Sequence, residues 1–132
     1  LPMLYREAPL NGIWEGSANV ICLDALRTLA KDPLAAEALA AALEAARGLH
    51  PAYDAALRAH RDRWPGPVAE AEARWFVESA ALLLTASVSL RRGPSAVAEA
   101  YAASRLTPGR GRFYGALPAG QAEDLLEQCF PE

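Results

Sequence analysis

The chain has 132 residues, 52% of them apolar, which suits one domain with one core. No uncharged apolar run reaches the roughly 18 residues that a bilayer span needs. The nearest, Ser79 to Leu90, is too short and carries Thr85, Ser87 and Ser89, so no membrane partner is expected. The net charge of -3 is unevenly spread: residues 58–112 hold nine Arg against five Asp/Glu, between two acidic ends.

The pattern predicts helix throughout, because no segment sustains period-2 alternation between hairpin turns. Leu1 to Arg6 reads as the end of a helix that began upstream, and Ala8-Pro9-Leu10-Asn11-Gly12 breaks it. The next helix starts near Ser17, an acceptable N-cap, with Val20, Leu23, Leu26 and Leu29 along one stripe. Asp32-Pro33 restarts the chain as N-cap and first-turn proline, and that helix stops at Gly48. His50-Pro51 opens another, ending near Trp64-Pro65-Gly66-Pro67. The longest runs from Val68 to Leu90, and the apolar character around Leu82-Leu83-Leu84 predicts a place at the centre of a bundle. Arg91-Arg92-Gly93-Pro94 ends it, a helix follows from Ser95 to Leu106, a loop from Thr107 to Pro118, and a last helix from Gln121 to Phe130. The expected fold class is all-α, a bundle of about six helices whose alanines allow close approach.

Cys22 and Cys129 lie inside apolar helical patterns and are expected to be buried, reduced thiols; their spacing is neither a metal signature nor a disulfide framework. No metal site is expected. The first residues lack the basic, apolar and small-residue sequence of a secretory leader, so a cytoplasmic location is expected. The chain begins inside a plausible element, as a piece cut from a longer protein would.

Residues 4–30 carry the most information. Arg6 is followed nine residues on by Glu15, set in Trp14-Glu15-Gly16-Ser17 at a helix start. This segment resembles the active-site region of the acyl-CoA dehydrogenase family. Tyr5-Arg6-Glu7, Pro9-Leu10-Asn11, Ile13-Trp14, Asn19 and Cys22-Leu23-Asp24 resemble most closely its AidB-like branch, associated with the bacterial adaptive response to DNA alkylation. Residues 1–31 then form the active-site segment and its helix, and residues 32–132 a helical extension of the kind that branch carries.

The resemblance implies specific roles. Glu15 occupies the position of the catalytic base that takes an α-proton while flavin accepts a hydride. A loop carboxylate leaning into a cavity can have its pKa raised by desolvation to a useful value. Ser17, Ala18 and Asn19 match the residues that contact FAD, and a helix start offers free N–H groups for such a ligand. Trp14 and Gly16 border the acyl-CoA-like substrate, glycine allowing close backbone approach. Without the resemblance, Glu15 reads as a solvated carboxylate favoured by the helix dipole and Trp14 as a core anchor. Activity in the AidB-like branch is weak, and its proposed role is protection of DNA.

Arg58, Arg61 and Arg63 with His60 fall within one and a half turns, and Arg91, Arg92, Arg105, Arg110 and Arg112 cluster at helix ends and in the late loop. Brought to one face, these arginines would bind double-stranded DNA without sequence preference; otherwise they are solvated surface. Arg27 reads as half of an exposed pair with Asp24, or as a buried cation needing Asp24 or Glu15. The expected function is the C-terminal part of an AidB-like flavoprotein, homo-oligomeric at full length. The alternative is the same part of an active FAD-dependent dehydrogenase whose extension serves oligomer contacts. The chain alone lacks the upstream helices and the β-domain that hold most of a flavin, so FAD binding and catalysis by it alone are not expected.

Overall fold

The computed structural model describes residues 2–12, 18–108 and 125–127. These residues form helices without a strand: α1 (Pro2–Glu7), a 3-10 turn (Ala8–Gly12), α2 (Ala18–Lys31), α3 (Pro33–Glu44), α4 (Pro51–Arg63), a second 3-10 turn (Glu70–Glu72), α5 (Ala73–Arg92) and α6 (Ser95–Arg105). The all-α expectation holds. Residues 125–127 are helical; the rest of the expected helix Gln121 to Phe130 lies outside the described residues.

Both proline restarts act as the sequence requires. Asp32 is extended, and its Oδ1 accepts from Leu34 N at 3.0 Å, with Pro33 in the first turn. His50 does the same for α4, its Nδ1 accepting from Ala52 N at 3.1 Å. Helix α3 ends at Glu44 rather than running to Gly48. The chain turns instead through Ala45 to Gly48, where φ is +83°, a value that favours glycine, and Gly48 N donates to Asp54 Oδ1 at 2.9 Å. The longest helix also starts later than Val68. Ala69 is extended and no side chain caps the turn that follows. Glu72, the residue before α5, is engaged with Arg63 and Trp64 instead.

Helix α5 packs against α2, α3, α4 and α6 and is the centre of the bundle, as expected. With its preceding turn (Glu70–Arg92) it is long and apolar enough to cross a bilayer by length and composition, although no uncharged run of that length exists. It is not enclosed on all sides: Leu84 is 37% exposed and Val88 50%. The apolar ring read around Leu82-Leu83-Leu84 therefore divides, with Leu83 in the core at 1% exposure and Leu84 outside.

The core contains few large side chains. Tyr53 and Leu83 are joined by Leu43, Leu57, Ala46 and Ala86, while Ala98, Ala100 and Ala102 are the buried apolar residues of α6. Backbone polar atoms buried beside such a core must be paired. The C-terminal end of α3 is where this matters, since the last four carbonyls of a helix have no intrahelical donor. Ala41 O accepts from Ala45 N at 3.0 Å and Glu44 O from Arg47 N at 2.9 Å. Leu43 O accepts from the Tyr53 hydroxyl of α4, and Ala42 O from Ser87 Oγ of α5 at 2.6 Å. All four are satisfied, two of them by buried hydroxyls from other helices. Burial also pushes the Tyr53 phenol above its ordinary pKa.

Removing either hydroxyl strands a buried carbonyl. Tyr53→Phe and Ser87→Ala are each expected to lower unfolding free energy by about 1–3 kcal/mol, measured by urea denaturation. A loss within error in both would show that these carbonyls are otherwise solvated.

Candidate functional site

Trp14, Glu15, Gly16 and Ser17 lie outside the described residues, as do Arg110, Arg112 and Cys129. Of the residues matched to the family's FAD contacts, Ala18 and Asn19 are described. They form the exposed first turn of α2, and Asn19 Oδ1 accepts from Arg74 Nη1 of α5 at 3.3 Å. Arg74 thereby ties the start of α2 to the central helix and leaves the Asn19 amide N–H groups without a protein acceptor among the described residues. An exposed helix start of this kind is compatible with the polar parts of a dinucleotide. Cys22 is buried as expected, 6% exposed, and makes no disulfide. Arg27 forms the exposed pair, 2.9 Å from Asp24, and needs no buried partner.

The described arginines do not gather on one face. Arg61 and Arg63 leave opposite flanks of α4: Arg61 reaches Glu44 of α3, while Arg63 lies 2.8 Å from Glu72 at the start of α5 and stacks on Trp64, 4.7 Å from its ring centre. Two residues apart means roughly 200° around a helix, which explains why closeness in sequence did not become one patch. Arg91 and Arg92 end α5, about 28 Å along its axis from the turn that holds Arg63. Arg105 does come near Arg63, the two lining one cavity of about 310 Å³. Arg58 is exposed.

Sequence reasoning missed the groups around His60. Its ring lies between Trp64 and Phe76, with centroids 5.0 and 5.1 Å away, and its Nδ1 is 2.9 Å from Ser79 Oγ. The side chain is 8% exposed, which is unlike the charged neighbour of a surface arginine cluster. It lines both the cavity just described and a larger one of about 510 Å³ between α2, α3, α4 and α5. Burial, and then the adjacent Arg61 cation, hold its pKa below the ordinary 6.5. The available signal was the i, i+4 pair His60 and Trp64, with the aromatic Phe76 beyond the Pro-Gly-Pro turn. Among the described residues no cluster of His, Cys, Asp and Glu has the makings of a metal site.

A histidine held neutral in the fold but free to protonate when unfolded makes stability rise with pH. The contribution is intact above about pH 6.5, where both states are neutral, and is lost as pH falls from there toward the lower folded pKa. Glu44 behaves separately: hydrogen bonds from Arg47 and Arg61 lower its pKa, so its contribution is lost below the ordinary 4.5. Urea titrations at pH 7.5, 6.5 and 5.5 are expected to show falling stability in the parent chain and a smaller fall in His60→Gln. Parallel pH profiles would show that His60 does not carry the effect.

No family model matches the chain, and no solved structure matches it. Over 70 residues it is 41% identical to "Putative acyl-CoA dehydrogenase AidB" of Escherichia coli (strain K12). The match covers 53% of this chain and 13% of the length of that protein. The chain is thus similar over about half its length to a small part of that AidB protein, in keeping with the resemblance read from its sequence.

Proposed function

We propose that this chain is the C-terminal part of an AidB-like flavoprotein, in which the corner from Trp14 to Asn19 borders FAD and an acyl-CoA-like ligand. The observation that carries the reading is the register of Arg6 with Trp14-Glu15-Gly16-Ser17 at the head of α2. The likeness to AidB supports it. Bound flavin would supply a hydride acceptor. Glu15 takes the substrate α-proton, Gly16 lets the backbone pass close to the thioester, and Trp14 walls the pocket. Ser17, Ala18 and Asn19 offer the donors of the helix start, with Asn19 oriented by Arg74.

Sequence-independent duplex binding is the second part of the proposal. Among the described residues, Arg58, Arg91 and Arg92 form no ion pair, so they retain the most charge for phosphates. Arg61 and Arg63, each held by a carboxylate, contribute less.

In the full-length protein, Glu15→Gln is expected to retain flavin, seen as its visible absorbance, and to lose any bleaching by acyl-CoA. Asn19→Ala should weaken flavin retention instead. Bleaching undiminished in Glu15→Gln would remove the assigned base. For DNA, log K against log salt should become shallower by about 2 in the Arg91→Ala, Arg92→Ala double variant. An unchanged slope would exclude that pair from the contact.

A further inference from the structure

The larger cavity lies along the far half of α2, away from Ala18 and Asn19. Leu26 and Leu29 on its wall belong to the far half of α2, and Leu29 lies about 16 Å along the axis from Ala18. Its volume of about 510 Å³ falls within the range of small-molecule sites, and its lining is dominated by Leu26, Leu29, Leu39, Leu43, Val68 and Phe76. Such a lining excludes a strongly polar ligand body.

The polar features are few. Ser79 Oγ contacts His60 Nδ1 at 2.9 Å and has no other acceptor among the described residues. With no other acceptor, the Ser79 hydroxyl donates to the Nδ1 lone pair, a tautomer assignment that leaves the imidazole proton on Nε2. Nε2 has no protein partner among the described residues, although His60 is 8% exposed. A buried N–H without an acceptor is rare in folded proteins. Arg61, on the rim, presents further donors even while one nitrogen is held by Glu44. His60 and Arg61 are the lining residues with donors to spare, and no carboxylate lines the cavity to receive a cation.

We propose that this cavity binds an amphiphile with an aliphatic tail and a carboxylate head, the head accepting from His60 Nε2–H and Arg61 and the tail lying among the leucines and Phe76. The site stands apart from the flavin reading and does not depend on it.

Calorimetry and 15N NMR on the intact chain test this with sodium decanoate below its micelle concentration, and with decanol as the uncharged analogue. Decanoate is expected to bind saturably with one-to-one stoichiometry and to shift the His60 Nε2 resonance, with decanol at least tenfold weaker. His60→Phe, which keeps the aromatic packing, should weaken decanoate at least tenfold and leave decanol unchanged. Leu39→Trp, from a half-buried position on the wall, should abolish binding of both, and provides the test should His60→Phe not fold. Absence of saturable binding, equal affinity for decanoate and decanol, undiminished binding by His60→Phe, or retained binding by Leu39→Trp each overturns the proposal. None of these readouts involves flavin, so failure here leaves the flavin reading untouched.

Discussion

The fold depends on closing the buried end of α3. A helix that ends at the surface leaves its last carbonyls to water, but at this end Leu43 and Ala46 are buried in the core beside Tyr53 of α4 and Ala86 of α5. Tyr53 and Ser87 supply the missing donors from two different helices. A typical hydrogen bond contributes only about 1 kcal/mol net, yet leaving its acceptor buried and alone costs more. The two bonds therefore act chiefly as a requirement on geometry. They fix where α3 stops relative to α4 and α5, and with it the positions of Leu39 and Leu43 on the wall of the larger cavity.

A second layer extends from that fixed end. His60, Trp64 and Phe76 pack ring against ring, with the Trp64 and Phe76 planes nearly perpendicular at 5.5 Å. Edge-to-face contacts of this kind add about 1 kcal/mol beyond burial. On the outer side Glu72 accepts from Arg63 and from the Trp64 indole, so one carboxylate holds both the cation stacked on the aromatic face and the indole itself. Glu72 is directed toward Arg63 and Trp64 and does not cap α5, and the turn from 70 to 72 is 3-10.

Local chemistry was legible in the sequence; pairings across the bundle were not. Asp32-Pro33 and His50-Pro51 announce helix starts because the capping atom and the capped N–H are two residues apart. Cys22 could be placed inside from its apolar neighbours, and Arg27 with Asp24 from their spacing. Nothing local marks Tyr53 as the donor to Leu43, or Ser87 as the donor to Ala42, 45 residues away. The surroundings of His60 were not legible for a related reason. Its chain neighbours are charged, but its spatial neighbours, Trp64, Phe76 and Ser79, come from one turn on and from the next helix. The corner at Glu15 differs again, since its meaning came from resemblance and its residues lie outside those described.

Burial along α2 divides by face: Cys22 is its buried residue, while other positions of both halves stay open. In the far half, Leu26 and Leu29 turn toward α3 and the aromatic layer and line the cavity. In the near half, Val20 is 42% exposed and Ile21 36%, and α1 before it has Met3, Leu4 and Tyr5 all more than 60% exposed. Apolar side chains scattered singly over a surface need no explanation, but here five fall on two neighbouring elements at one end of the chain. The proposed flavin site would use the open face at the head of α2, because a cofactor and the body that holds it must reach it from outside these helices. A helix start already covered by α3 to α6 would have left them no room. Instead Arg74, from the first turn of the central helix, holds Asn19 at that open end, connecting the part of the chain that resembles an active site to the part that supplies its support.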